Sequence, residues 1–300
     1  MNSHYNQDVN GWIVLDKPQG MSSNQALRKI QYLLHAKKAG HIGTLDPFAT
    51  GVLPLAFGEA TKLIPYLEGT EKTYEFTIQF GKNTSTDDTE GEITETSSRV
   101  PSQEEILAIL PQFIGNITQI PPKYSAIHIN GERAYTLARK NAKFEMPARQ
   151  ITIKELCLLE CNQKQSSANF TVTCSKGTYV RTLGHDIAAK LNTCGHLTAL
   201  RRTKNGFFDL SHTILLDNLK NILYKSSGVS PLLPVETFLC DITVIALTEA
   251  ETLKLKSGQA IDSERFNLSK RPIAACYNNR LISLVALDGK TLKPIRVFNL

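Results

Sequence analysis

The segment His41-Ile42-Gly43-Thr44-Leu45-Asp46-Pro47-Phe48-Ala49-Thr50-Gly51 sets an imidazole and a carboxylate among two glycines and a proline. Gly43, Pro47 and Gly51 interrupt the backbone too often for a helix, so Asp46 is expected on a sharply shaped turn. The apolar run Val52-Leu53-Pro54-Leu55-Ala56-Phe57 holds that turn against a core. Asp46 is then partly buried and needs a cation. Alone, an Asp-Pro pair also starts ordinary turns. The candidate cation is Arg181, in Gly177-Thr178-Tyr179-Val180-Arg181-Thr182, which reads as a strand-like run alternating a phenol with a guanidinium. A guanidinium can grip a carboxylate through two parallel hydrogen bonds, keeping it ionised and aimed. The alternatives are a structural ion pair or no contact. His41 is open between general base, base-stacking surface and plain loop residue. A metal-ligand role is disfavoured, because no His or Cys stands at metal spacing near it.

Other chemistries lack their signatures. There is no phosphate-cradling G-x-x-x-x-G-K-[ST], no dinucleotide fingerprint and no G-x-S-x-G. Cys157 and Cys161 sit in an alternating apolar pattern that favours core packing over zinc. The six cysteines form no C-x-x-C pair, so reduced, mostly buried thiols are expected. Residues 1–10 are polar with no apolar leader core, and no apolar run approaches the roughly 18 residues of a membrane span. A cytosolic protein is the expectation.

The net charge of +6 is unevenly spread. Arg28, Lys29, Lys37 and Lys38 form one basic group, Arg133, Arg139, Lys140, Lys143 and Arg149 a second, and Arg201, Arg202 and Lys204 a third. Such groups flanking a candidate site suit a polyanion such as nucleic acid, although solvated helix faces look the same in sequence. Leu200-Arg201-Arg202-Thr203 is open between a core strand with two exposed charges and a phosphate-contacting edge.

These residues need a scaffold, and with 300 residues two domains are expected. Trp12-Ile13-Val14-Leu15 reads as a buried strand. A helix follows, capped by Ser22, Ser23 or Asn24, with Leu27, Ile30, Leu33 and Leu34 on one face and Lys37 and Lys38 favouring its C-terminal end. Lys72 to Phe80 alternates, burying Tyr74, Phe76, Ile78 and Phe80. Lys82 to Glu92 reads as a polar loop and Gln103 to Phe113 as a helix. Asn130-Gly131 marks a type I′ hairpin whose basic continuation to Arg149 is an excursion from the main body. Ile151 to Leu159 and Ala168 to Cys174 read as strands, and Leu183 to Leu191 as a helix. Beyond Pro234 a small β-rich module is expected, with a helix near Glu249 to Leu255 and strands around 242–247, 273–277, 281–287 and 295–298.

With these pieces in order, the chain resembles the TruB family of bacterial tRNA pseudouridine-55 synthases. The likeness rests on Leu15-Asp16-Lys17-Pro18-Gln19-Gly20-Met21-Ser22-Ser23, on Gly40 to Pro47 with Gly58-Glu59-Ala60-Thr61-Lys62, on Lys72-Thr73-Tyr74, on Pro122-Lys123-Tyr124-Ser125-Ala126, on Gly177 to Thr182 and on Leu200 to Thr203. It covers about residues 11 to 210. The resemblance implies an α+β fold, with a mixed, largely antiparallel sheet and flanking helices, over residues 1–240, including an RNA-gripping excursion near 120–150. A divergent β-barrel-like PUA-type domain over 241–300 would follow. It also implies isomerisation of uridine 55 in the tRNA T loop to pseudouridine, by C1′–N1 cleavage and C1′–C5 rejoining with the base flipped out. Asp46 would be the nucleophile, Arg181 its holder, and Tyr74 the ring-packing residue and a base. His41 would fill or support the vacated space, Tyr179 and Leu200 border the uracil, and Lys17 with Pro18 grip RNA. The expected partner is the T arm of tRNA, bound by a cytoplasmic monomer without metal, membrane or organic cofactor. Ile42 departs from the Thr usual at its position, which removes a hydrogen-bonding side chain near the loop. A non-catalytic RNA-binding or RNA-folding protein on the same fold is the alternative.

Overall fold

The computed structural model describes residues 9–67, 71–125, 127–140, 142–224 (the side chains of 223 and 224 aside), 230–239, 242–266, 268 and 272–300. Residues 1–8, Ala126, Cys240 and the boundary expected at 240/241 lie outside the described residues.

Ten strands form one mixed sheet, in the order Thr213–Leu215, Gly11–Lys17, Thr50–Phe57, Gly195–Asn205, Lys72–Phe80, Ser167–Cys174, Arg149–Asn162 and Gly115–Gln119. Ala39–His41 adds to 50–57 and Phe208–Asp209 to 195–205. Among the described residues of this sheet two pairings are parallel, 213–215 on 11–17 and 195–205 on 50–57. The run Trp12-Ile13-Val14-Leu15 is unbroken by polar residues because both faces of its strand are covered. Ile13 and Leu15 join the core under the helices Ser23–Leu33, Gln103–Ile109 and Val180–Lys190. Trp12 and Val14 point the other way, into a cluster with Phe208, Phe238, Leu284 and Phe298.

The helix Ser23–Leu33 starts where a capping box allows it, the Ser22 hydroxyl accepting from the Gln25 N–H. It stops earlier than expected: His35 is left-handed (φ 52°) and Ala36 turns inward, so Lys37 and Lys38 lie past the helix end. Lys72–Phe80 has the bounds its alternation predicts. The 82–92 stretch is not a plain loop, since Lys82–Thr84 pairs with Ile93–Thr96 in a hairpin whose tip buries Asp88. The Asn130-Gly131 turn has both residues at positive φ, 50° and 90°, as a type I′ turn requires. In Arg149–Asn162 a bulge between Ile153 and Glu155 shifts the inward face. Cys157 and Cys161 on that strand are thereby less buried than expected, exposed and half-buried; Cys276 on the C-terminal sheet is also half-buried, while Cys174 and Cys194 are buried.

The C-terminal strands form a second, five-stranded sheet, Thr243–Ala246, Ile273–Tyr277, Arg280–Asp288, Thr291–Val297 and Ile261–Asp262, with the helix Glu249–Lys256. It shares a core with the large sheet through the Trp12 cluster. Lys62 Nζ also donates to the Val297 carbonyl at 2.7 Å, and the Asn299 N–H to the Glu59 carboxylate at 2.7 Å. No helix among the described residues is long and apolar enough to cross a membrane.

Candidate active site

The Asp46 loop is clamped at both ends while its carboxylate is left accessible. Ser23, at the start of the first helix, accepts from the Leu45 N–H at 2.7 Å and donates to the Leu45 carbonyl at 3.0 Å. The Ala49 N–H returns to the Asp46 carbonyl at 3.1 Å, closing a turn over Pro47 and Phe48. Leu45, Phe48 and Ala49 are buried in the core. The chain then runs in close contact with the 195–205 strand: a Cβ at Gly51 (φ 99°) would lie 2.2 Å from the Arg202 carbonyl oxygen, so only glycine fits.

Lys17 is not on an RNA-facing surface. Its side chain is fully buried, and Nζ donates to the carbonyls of Met21 at 2.6 Å, Pro18 at 2.9 Å and Pro47 at 3.4 Å. Burial pulls its pKa down to about 8, with Asp46 opposing. Lys17 ties the exposed Pro18–Gly20 turn to the Asp46 loop and cannot grip phosphate. For the RNA binding that the family resemblance implies, Lys17→Met is expected to leave the salt dependence unchanged, whereas a phosphate contact would lower that slope by about 1. Titrations at several salt concentrations decide it, and a flatter slope would restore the RNA contact.

Arg181 does not sit on a strand. The preceding strand ends at Cys174, Gly177 turns the chain (φ 85°), and the buried Gln119 holds Tyr179 on both sides, accepting from its N–H at 2.8 Å and donating to its carbonyl at 3.1 Å. Val180–Lys190 can then start as a helix at once, three residues before the expected Leu183, with Arg181 in its first turn. The guanidinium is buried at 4% exposure, its Nη2 2.9 Å from an Asp46 carboxylate oxygen. This is not the two-pronged grip expected, because the rest of the fork is in use. Nη1 donates to the Thr86 carbonyl at 2.7 Å and lies 3.6 Å from the Asp88 carboxylate, while Nη2 also donates to the Tyr124 carbonyl at 3.0 Å. Asp88 is 2% exposed, its carboxylate accepting from the Thr86 hydroxyl at 2.5 Å and the Glu90 N–H at 2.9 Å. Asp88 and Gln119 carry no sequence signal of their own; in Asp87-Asp88-Thr89-Glu90 nothing in the sequence marks which acid is buried.

More titratable groups stand behind Arg181. His185 Nδ1 is 3.4 Å from Asp87. Burial raises Asp186 to about 6, with His185 opposing and Asp87 adding. A carboxyl raised by folding costs nothing below its unfolded value near 4; the cost grows up to about pH 6 and is level above it. Asp186→Asn is expected to add about 1–2 kcal/mol of stability at pH 7.5 and none at pH 3.5. Urea unfolding at both pH values reads this, and equal gains at both would exclude the charge as cause.

A cavity of about 260 Å³ opens beside the Asp46–Arg181 pair, walled by Thr44, Tyr74, Ser125, Tyr179, Leu200 and others. Burial raises the phenols of both Tyr74 and Tyr179. His41 does not line it; it closes the short strand Ala39–His41, its Nδ1 buried without a hydrogen-bond partner, and burial, then the Arg202 charge, pushes its pKa down. Leu200-Arg201-Arg202-Thr203 is neither an edge nor a strand with two free charges. Arg201 pairs with both oxygens of Asp16, at 3.0 and 2.7 Å, and Arg202 is fully buried. Ile42 packs its side chain into the Trp12 cluster, while Pro54 and Asn205 hold its backbone. Among the described residues no group of three or more His, Cys, Asp or Glu is placed to hold a metal.

A family model for the N-terminal domain of TruB family pseudouridylate synthases matches residues 31–180, and one for the C-terminal domain of tRNA pseudouridylate synthase B matches 181–239. The chain belongs to the TruB family. It is 42% identical to the tRNA pseudouridine synthase B of Caulobacter vibrioides over 97% of both chains. To that of Bradyrhizobium diazoefficiens it is 44% identical, over 98% of this chain and 87% of the relative. A structure of an H/ACA ribonucleoprotein bound to a substrate RNA containing 2′-deoxyuridine has a chain of the same fold, at TM-score 0.72 and 22% identity over 96% of this chain and 85% of that one. TruB relatives at these identities are isomerases, and this chain is an enzyme of that class.

Proposed function

We propose that this TruB enzyme isomerises uridine 55 in the T loop of tRNA to pseudouridine, with Asp46 as nucleophile. The observation that carries the reading is the Asp46 carboxylate, aimed by a buried Arg181 at 2.9 Å into a cavity walled by Tyr74, Tyr179 and Leu200. A base stacked within a folded loop cannot reach the Asp46 carboxylate in this cavity, so the uridine is turned out of its loop at a cost of a few kcal/mol. His41 supports the space it vacates.

An Asp46 oxygen bonds to the nucleotide, which divides one difficult displacement into two. C1′–N1 breaks with its electron pair going to the ring, C1′–C5 forms while C5 still carries its hydrogen, and the bond to Asp46 breaks with its electron pair returning to the carboxylate. Tyr74 gives its proton to N1 and, as phenolate, takes the C5 proton, which restores the C5–C6 double bond and the phenol. Tyr179 and the Leu200 backbone border the ring. Arg133, Arg139, Lys140, Lys143 and Arg149 grip the T arm; Arg133 and Arg139 lie over the Tyr135 ring, 6.0 and 5.8 Å from its centroid. Residues 1–240 form the catalytic domain and 241–300 a PUA-type RNA-binding domain, in a cytoplasmic monomer.

The test is a tRNA transcript labelled with tritium at uridine C5. Tritium release together with pseudouridine mapped to position 55 is expected. No release overturns the reading, and free uracil in place of pseudouridine would assign a glycoside-cleaving hydrolase.

A further inference from the structure

Arg202 stands directly opposite Tyr74 in the antiparallel pairing of 195–205 with 72–80. Cross-strand partners of this kind have Cβ atoms about 4.5–5.5 Å apart. Arg202 is 0% exposed, yet among the described residues no carboxylate forms an ion pair with it. Nε donates to the Val52 carbonyl at 2.8 Å and Nη2 to the Gly43 carbonyl at 2.9 Å, while Nη1 has no hydrogen-bond partner. Burying a cation costs several kcal/mol, and such cations are kept where an anion meets them. The Tyr74 oxygen is the group that favours charged Arg202, and Arg202 in turn favours an anionic Tyr74. Burial, Cys174 on the adjoining strand and Asp46 across the cavity all oppose that anion. Arg202 also repels the cationic forms of Lys17 and His41.

We propose that Arg202 is the counter-cation of Tyr74, fixing the phenol oxygen and stabilising the phenolate that exists while its proton is on N1. This rests on the proton-carrying role given to Tyr74 above. The guanidinium touches no reacting atom; it is a positioning residue acting through Tyr74, and its free Nη1 has capacity to tighten onto the oxygen as charge develops. The substrate then meets a phenol that gives up and regains one proton per turnover with no external base.

The test labels the full-length protein with 3-fluorotyrosine and follows ionisation by fluorine NMR, with Tyr74 and Tyr179 assigned by signal loss in Tyr74→Phe and Tyr179→Phe. In the native protein Tyr74 is expected to ionise at or below the pH of Tyr179, although Tyr74 is the more buried. In Arg202→Met its midpoint should rise by about one pH unit or more, a tenfold change in proton affinity. Because the reaction starts from the protonated phenol, the falling limb of single-turnover rate against pH should move up with it, and Arg202→Lys should restore both. An unmoved Tyr74 midpoint in folded Arg202→Met overturns the proposal. If that variant does not fold, Tyr74 ionising well above Tyr179 in the native protein overturns it equally. Tyr74→Phe at the full rate would instead retire the proton-carrying role of Tyr74, and the ionisation data would still report on the pairing.

Discussion

Asp46→Asn is expected to abolish pseudouridine formation, lowering the single-turnover rate by at least about 10⁴-fold while tRNA affinity stays within about tenfold. The amide is nearly isosteric, so the turn closed by Ala49 and the Ser23 clamp on Leu45 persist. What disappears is the attacking oxygen. Binding is spared because the residue is one of many that meet the RNA, most of its affinity coming from phosphate contacts elsewhere. Quench-flow with excess enzyme separates the two quantities. Residual modification within about a hundredfold of the parent would give the covalent step to another group.

Arg181→Met should cost about 3–5 kcal/mol of stability as well as at least about 10³-fold in rate, because one buried guanidinium serves two carboxylates and two carbonyls. Removing it leaves Asp88 buried without its cation and Asp46 unaimed. Arg181→Lys should recover part of the stability and little of the rate, since a single ammonium cannot reproduce the fork. Adding Asp88→Asn to Arg181→Met should return about 1–3 kcal/mol without restoring turnover. Urea unfolding and single-turnover assays on the parent, Arg181→Met, Asp88→Asn and the double variant form a coupling cycle. Additive stability effects would mean that Arg181 and Asp88 do not share one network.

Much of the scaffold was legible. The strand 72–80 announced itself through strict alternation, the first helix through Ser22 and its periodic face, and the hairpin through Asn130-Gly131, because each signal is local and strong. The start of the Arg181 helix was not, since it depends on Gln119, which lies 60 residues earlier and fixes the Tyr179 backbone. The burial of Lys17, Asp88 and Arg202 was hidden for the same reason. A charged residue reads as exposed until the carbonyls and hydroxyls that solvate it are known, and those come from distant segments.

The amino-acid sequence by itself determined which groups are present, that Asp46 rides a tight turn against an apolar strand, and that Tyr74 faces inward. These follow from backbone sterics and from periodicity, which act over a few residues. Only the tertiary structure decided that Arg181 reaches Asp46 and shares itself with Asp88, that Lys17 braces the loop from beneath, and that Arg202 lies across from Tyr74. Charge interactions of this kind depend on distance and on exclusion of water, and both are properties of the packed chain.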